Sequence, residues 1–168
     1  MSNEKEQKKH FLSLYEKHSD ELFRFCFFKT GSRDQSLEIV QEIFMKAWIG
    51  MQKGTIMDNP KAFLYASTRN AITDWYRRKK AVSLDDLQDI GFDASIEEDL
   101  HGFDRLEAER ILEKTSKLEE KYREVIILRF VNNLSVTEIA ELLGEKENNV
   151  SVRLHRALEK LRKIYVRK

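Results

Sequence analysis

The sequence has 168 residues and a mass of 19.9 kDa, which suits one ordinary domain or two very small ones. With 41% hydrophobic and 35% charged residues it is too apolar for a disordered chain, and its one cysteine excludes an internal disulfide. A single proline and six glycines favour helices over a turn-rich β fold. The polar first ten residues lack a signal-peptide core and no apolar run approaches the roughly 18 residues of a membrane span, so we expect a cytoplasmic protein.

The net charge of +1 hides an uneven distribution. Residues 61–80 and 145–168 each carry a net charge of +5, whereas residues 81–104 carry −8. Two basic stretches separated by an acidic one are typical of a protein that contacts a polyanion at two places. For either stretch alone, an ordinary solvated helix face stays the alternative.

Two helices are predicted near the N-terminus, after a polar tail over residues 1–10. The first carries an apolar stripe from Phe11 to Cys26 and ends at Gly31, so Cys26 is expected to be a buried, inert thiol. The second follows Asp34 and is apolar on two adjoining faces, which predicts broad burial. Its apolar positions are Leu37, Ile39, Val40, Ile43, Phe44, Ala47 and Trp48.

The third predicted helix follows a loop over residues 49–59, which Gly50 and Gly54 indicate. Asn59 is a suitable N-cap with Pro60 at the first helical position. Core packing is the expected role of Phe63 and Trp75 on this helix. The first three helices therefore predict a small bundle over residues 11–80.

A linker over residues 81–104 and a second helical domain over residues 105–168 complete the predicted all-α fold. The linker is expected because its apolar residues are scattered among eight acidic ones. In the second domain Asn132 and Asn133 break a helix, and Ser135 with Glu138 forms a capping box for the next. That helix ends at Gly144, and the last one carries a regular apolar stripe from Val150.

The strongest local motif lies between Ser135 and Arg156. Ala140 is small where two helices cross, Gly144 allows a sharp turn, and Val150 packs the second helix back, which is the spacing of a helix-turn-helix. On the second helix, the residues outside the apolar stripe are predicted to face outward, where they can bind base edges and phosphates. They are Asn148, Asn149, Ser151, Val152, Arg153 and Arg156. An ordinary helical hairpin with a basic face is the alternative.

Two further segments carry polar residues that folding alone does not explain. The segment from Asn59 to Lys80 mixes aromatic and basic side chains, which suits single-stranded nucleic acid, and holds Asn70 in mid-helix. In the predicted second helix, Gln41 and Glu42 interrupt an apolar surface and Glu38 adds an acid, as a partner-docking helix would. Any amphipathic helix can show such residues, so this last signal is weak alone.

Together these segments resemble the extracytoplasmic-function sigma factors of the bacterial sigma-70 family. Ser36–Phe44 is similar to the family's A-E-D-x-x-Q-E/D-x-F helix. Phe63–Asn70 with Asp74, Arg77 and Arg78 is similar to W-L-x-x-I-A-x-N…D…R-R, and Glu138–Gly144 with Asn149–Ala157 to E-I-A-x-x-L-G…T-V-K-S-R-L-x-R-A. Lys146, Asn148, Asn149 and Ser151 depart from the family's pattern, so the preferred −35 sequence cannot be copied from relatives.

The resemblance implies a factor that brings RNA polymerase to promoters. It assigns contacts with the polymerase core to Glu38, Gln41, Glu42 and Phe44. It assigns contacts with the −10 element to Lys61, Arg69, Asn70, Asp74, Arg77, Arg78, Lys79 and Lys80, and contacts with the −35 element to Lys146, Asn148, Asn149, Ser151, Arg153 and Arg156. The implied partners are the clamp coiled coil and the flap of the core, and promoter DNA; an anti-sigma factor stays open. Neither a cofactor, a metal nor a catalytic residue is implied.

A stand-alone helix-turn-helix regulator is the alternative function. It explains residues 118–166 equally well, but not the polar positions of the second helix or Asn70. An enzyme is a more distant alternative, because the sequence shows no nucleophile–His–carboxylate set, phosphate loop or metal motif.

Overall fold

The computed structural model describes residues 2–55, 57–82 and 105–166, and throughout these ranges every regular element is helical. The helices form two compact units. The first unit contains α1 (Ser2–Thr30), α2 (Arg33–Gln52) and α3 (Pro60–Val82), and each helix packs against the other two. The all-α prediction is confirmed. The predicted linker lies outside the described residues apart from positions 81 and 82, which belong to α3.

A core of aromatic and branched side chains holds the first unit together. Phe25 of α1 meets the buried ring of Tyr65 of α3 at 5.5 Å between centroids. The largest fully buried side chains among the described residues of the unit are Leu22, Phe25, Phe27, Phe28, Ile43, Leu64, Tyr65 and Ile72. Burying one such side chain contributes roughly 1.5–3 kcal/mol, so these residues dominate the stability of the unit.

The ends of α1 and α2 differ from the sequence prediction. Residues 2–10, expected to be a tail, are helical, and the Gln7 side chain donates to the Met51 carbonyl at 3.3 Å. Similarly, α2 continues past 49 to Gln52, and the N–H of Lys53 still donates to the Ile49 carbonyl at 3.1 Å. The predicted loop therefore begins at Lys53. In α1 the apolar stripe marks only the buried length of the helix, whereas the Glu, Lys and Gln residues before Phe11 prolong it by their own propensity.

Local hydrogen bonds start and stop these helices largely as predicted. Gly31, at φ +69°, ends α1, and the Ser32 hydroxyl then caps α2 by accepting the N–H of Gln35 at 3.2 Å. The Asn59 side chain caps α3 by accepting the N–H of Ala62 at 3.1 Å, which confirms Asn59 as N-cap and Pro60 as first helical residue.

The buried face of α3 does not include Phe63, one of the two residues predicted to pack in its core. Phe63 is 39% exposed, whereas Leu64, Tyr65, Thr68 and Ile72 are buried. These four positions follow a helical period and face α1 and α2. The prediction of Phe63 as a core residue is wrong, and Trp75 is only partly buried, with the Lys79 ammonium 4.8 Å from the centre of its ring.

The second unit contains α4 (Arg105–Thr115), α5 (Glu120–Ile126), α6 (Val136–Leu143) and α7 (Glu147–Val166). A π-helical turn over Ile127–Val131 prolongs α5. The chain then turns at Asn133, which has a φ of +54° and so confirms the predicted helix break. Its core joins α5 to α7 through Leu118, Tyr122, Val125, Ile126 and Ala157, with Leu154, Leu158 and Leu161 packed against them.

The predicted helix-turn-helix is present as α6, a tight turn and α7. The capping box is complete, since the Ser135 N–H donates to the Glu138 carboxylate at 2.8 Å and the Glu138 N–H to the Ser135 hydroxyl at 3.1 Å. Gly144 ends α6 with a φ of +65°. Val150 is fully buried where α7 packs back on α6, as its spacing predicts.

Candidate nucleic-acid interface

The outward side of α2 presents the three polar residues that the sequence singled out. Glu38, Gln41 and Glu42 are all exposed, and the Glu42 carboxylate lies 2.9 Å from the Lys46 ammonium one turn later. Phe44, predicted with them, is instead 3% exposed, because it packs edge-on against Tyr15 of α1 at 4.9 Å between ring centroids. The prediction of Phe44 as a partner-contacting residue is therefore wrong, since its ring belongs to the core.

Two apolar residues on the same side of α2 escaped the sequence analysis. Met45 is 63% exposed and Ile49 42%, and they continue the row of Glu38 and Gln41 along the helix. We call Glu38, Gln41, Glu42, Met45 and Ile49 the outer face of α2. Each directly follows a residue of the predicted apolar face, Phe44 or Trp48, and so is an apolar residue just outside that face. This pattern in the sequence could have identified them. A surface that combines acids with exposed apolar side chains suits a protein partner with basic and apolar groups.

On α3, Asn70, Asp74 and Arg78 are exposed and lie one turn apart on one face. They line a cavity of about 170 Å³ whose other wall, on α2, includes Glu42 and Lys46. The groups predicted to meet polymerase and those predicted to meet −10 DNA are thus neighbours across one groove of the first unit.

The basic end of α3 lies on the surface. Arg77, Arg78, Lys79 and Lys80 are all exposed, and the Arg77 guanidinium is 3.7 Å from the Asp74 carboxylate. The two other bases of the predicted set are partly buried: Arg69, and Lys61, whose ammonium is 4.0 Å from the Glu21 carboxylate on α1. The exposed run is therefore the part of this helix best placed for phosphates.

The recognition helix α7 presents the predicted outward set with one difference. Lys146 in the turn and Asn148, Asn149, Ser151 and Arg156 of α7 are exposed, as is Val152. Arg153 is only partly exposed, because its Nη2 donates to the Glu145 carboxylate at 2.6 Å. Sequence reasoning missed Glu145, since nothing in the local pattern pairs it with a residue eight positions later.

A cavity of about 300 Å³ joins this helix to α5. Asn149, Arg153 and Arg156 line it from α7, and Lys121 lines it from the first turn of α5. Lys121 also escaped the sequence analysis, because α5 and α7 meet only in the folded unit. A lysine beside the recognition helix is suited to a DNA phosphate.

The one cysteine of the sequence, Cys26, is fully buried, as predicted, and burial raises the pKa of its thiol. Among the described residues, no group of three or more His, Cys, Asp or Glu is arranged to hold a metal ion. In the same part of the chain, no helix is both long and apolar enough to cross a membrane.

Comparisons with known proteins match both units. The family model described as sigma-70 region 2 matches residues 14–82, and that described as sigma-70 region 4 matches residues 108–161. The chain is 31% identical over 145 residues to the RNA polymerase sigma factor SigV of Bacillus subtilis, covering 86% of this chain and 84% of that protein. It is 28% identical over 170 residues to the ECF RNA polymerase sigma factor SigW of the same organism, covering 91% and 87%.

Two solved structures share the fold. CnrH, in complex with the cytosolic domain of CnrY, matches with a TM-score of 0.70 and 24% identity over 96% of this chain and 90% of that one. The sigma factor RpoE, in complex with the anti-sigma factor NepR from Bartonella quintana, matches with a TM-score of 0.67 and 21% identity over 96% and 97%. At these identities the two structures establish the architecture alone.

Proposed function

This chain belongs to the extracytoplasmic-function group of the sigma-70 family, and from that premise we propose which of its surfaces serves each step of promoter recognition. It is an RNA polymerase sigma factor that directs transcription initiation. The observation that carries our proposal is that each matched region folds into a unit with an exposed polar surface at the family's motif positions. In the first unit that surface is the outer face of α2 with the adjoining groove, and in the second it is α7.

The outer face of α2 binds the polymerase core. Glu38, Gln41 and Glu42 stay exposed on a helix whose other sides are buried, so folding does not account for them. The clamp of the core carries a basic coiled coil, to which two carboxylates are complementary. Met45 and Ile49 add apolar area beside them, and apolar area supplies affinity where charge supplies orientation.

The exposed face of α3 opens and reads the −10 element. Asn70 lies in a groove whose rim carries the Asp74 carboxylate and the Arg78 guanidinium, so a base extruded from the duplex would meet both donors and acceptors. Extrusion costs a few kcal/mol, which contacts of this kind must offset. The cations from Arg77 to Lys80 continue the face and bind phosphates of the same strand.

The recognition helix α7 reads the −35 element in duplex DNA. Its N-terminal turns carry the exposed Asn148, Asn149 and Ser151, and the first turns of a recognition helix are those that reach base edges. Lys146, Lys121 and Arg156 surround them and supply phosphate contacts.

The flap of the polymerase core docks on the second unit. An apolar cavity of about 470 Å³ between α4, α5 and α7 is lined by residues such as Ile111, Val131 and Leu161, and Phe130 at its edge is 51% exposed. Such a cavity suits apolar side chains of a protein partner. An anti-sigma factor is a further partner, by analogy with the complex of RpoE and NepR. All these partners place the protein's work in the cytoplasm.

The alternative of a stand-alone regulator is not supported. Such a protein would need the helix-turn-helix of the second unit alone, whereas this chain also matches region 2 over residues 14–82.

Binding to purified core polymerase tests the proposal. Gln41→Ala combined with Glu42→Lys should weaken core binding about tenfold, since it removes central contacts of the docking surface. The melting temperature should change little, because both side chains are exposed and the only ion pair lost is Glu42–Lys46, which contributes a few tenths of a kcal/mol.

Glu16→Lys is the matched control, because Glu16 is an exposed acid on α1, outside the proposed surface. It should leave core affinity unchanged. Normal core binding by the α2 variant would contradict the assignment of this face.

A further inference from the structure

The turn of the helix-turn-helix contains an ion pair that ties it to the recognition helix. Glu145 directly follows Gly144, and its N–H is fixed by a 3.0 Å hydrogen bond to the Ala140 carbonyl. Its carboxylate accepts from Nη2 of Arg153 at 2.6 Å, with the two side chains 29% and 23% exposed. Partial burial limits screening by salt, so this pair is held more firmly than one in open solvent.

The pair occupies only part of the arginine. A guanidinium has five N–H donors arranged along more than one edge, and the Glu145 carboxylate takes one nitrogen. The rest of the Arg153 side chain lines the cavity that it shares with Asn149 and Arg156 on the same face of α7. The arginine is therefore fixed at one end with donors still available at the other.

Fixing a guanidinium in this way favours a base over a phosphate. The neighbouring carboxylate cancels much of the charge that attracts a phosphate, and a phosphate brought close would also meet that carboxylate. Guanine is a neutral ligand whose O6 and N7 both accept hydrogen bonds in the major groove, and an arginine satisfies them with two parallel N–H groups. A held guanidinium also loses less conformational freedom when it binds.

We propose that Glu145 is a positioning residue that orients Arg153 to read a guanine in the −35 element. This inference rests on the proposed function of α7 as the −35-reading helix. Arg156, one turn further and exposed, has no ion pair with any described residue and stays suited to a phosphate.

Selection from random DNA tests the inference. Holoenzyme is reconstituted from purified core polymerase and the full chain, and bound to a pool of duplexes with ten randomised base pairs upstream of a fixed −10 region; the retained molecules are sequenced. The unchanged protein should enrich guanine at one position. Arg153→Ala and Glu145→Ala should both lower that preference about tenfold, at the same position and nowhere else.

Two variants separate positioning from other roles. Glu145→Gln, which keeps an acceptor oxygen but loses the charge, should retain part of the preference. Glu147→Ala removes an equal charge from an exposed neighbour with no ion pair among the described residues, and should leave the preference unchanged.

Three outcomes would overturn the inference. Glu145→Ala could lower the melting temperature and keep the base preference, which would make the pair a structural clamp. It could strengthen binding to all sequences alike with a steeper salt dependence, which would mean that Glu145 withholds Arg153 from phosphates. Arg153→Ala could leave every base preference intact. Failure of the unchanged holoenzyme to enrich any upstream sequence would instead contradict the proposed function itself.

Discussion

Gly144 is the residue on which the geometry of the helix-turn-helix depends most directly. Its φ of +65° and ψ of +33° lie in the left-handed region, where the turn closes by hydrogen bonds from the N–H of Gly144 to the Glu141 carbonyl at 3.3 Å and from the N–H of Glu145 to the Ala140 carbonyl. Beyond the two neighbouring residues of the chain, a Cβ at this position would meet no atom within 4 Å. The cost of Gly144→Ala is therefore local backbone strain, without a clash against the rest of the unit.

That strain can be given a magnitude. An L-residue in the left-handed region costs roughly 1–2 kcal/mol, and about 0.4–1 kcal/mol is recovered because alanine has less freedom than glycine in the unfolded chain. We expect Gly144→Ala to lower the free energy of unfolding of the second unit by about 1 kcal/mol. For a unit of this size that corresponds to a fall of about 4–8 °C in its melting temperature.

The positions of the tryptophans make the assay specific for each unit. Trp48 and Trp75 are the two tryptophans of the sequence, and both lie in the first unit, so tryptophan fluorescence follows that unit alone. Circular dichroism follows both units, because both are helical. Gly144→Ala should lower the melting temperature of the second unit, which only circular dichroism detects. The melting temperature of the first unit, read from tryptophan fluorescence, should stay unchanged.

Gly50→Ala is the matched control. Gly50 lies in the last turn of α2 without a positive φ, and a Cβ there would make only ordinary contact with Thr55 at 3.8 Å. It should raise the stability of the first unit by about 0.5–1 kcal/mol and so raise the fluorescence midpoint. If Gly144→Ala moved neither transition, or moved the fluorescence transition, the account of this turn would be refuted.

Two further predictions concern the first unit. Phe44→Ala should lower the unfolding free energy of this unit by about 3–5 kcal/mol, whereas Met45→Ala, at the exposed neighbouring position, should change it by no more than about 0.5 kcal/mol. Urea titration followed by tryptophan fluorescence measures both values. Equal costs would mean that the buried face of α2 is misassigned. Asn70→Ala should leave the melting temperature unchanged or slightly raised, but it should reduce promoter opening by the holoenzyme, measured by the permanganate reactivity of unpaired thymines. Thr73→Ala, at an exposed position on the same helix, should leave opening unchanged. Unchanged opening in the Asn70 variant would remove this residue from the −10 site.

The features that the sequence predicted correctly are those fixed by short-range chemistry. The Ser135–Glu138 capping box, the Asn59 cap and the Gly144 turn each depend on hydrogen bonds or dihedral angles within a few residues. Their signals are complete in a short stretch of sequence, so the boundaries and order of the helices near them could be predicted.

The features that the sequence missed depend on contacts between helices. The apolar faces of α2 predicted that Phe44 is buried, but not that the adjacent apolar Met45 lies 63% exposed beside the acidic residues of the outer face. Lys121 joins the recognition surface only because α5 packs against α7. Periodicity alone does not carry such information, because it says which residues share a face but not which face meets another helix.

Transcription in vitro tests the central claim most directly. Purified core polymerase from the same organism is mixed with this chain and fragmented genomic DNA, and the 5′ ends of the transcripts are sequenced. The account predicts transcripts that begin at defined sites and share common upstream sequences near −10 and −35. These transcripts should be absent with core alone and strongly reduced, at equal protein concentration, with the chain carrying Gln41→Ala and Glu42→Lys. Start sites with no common upstream sequence, or the same start sites with core alone, would contradict it.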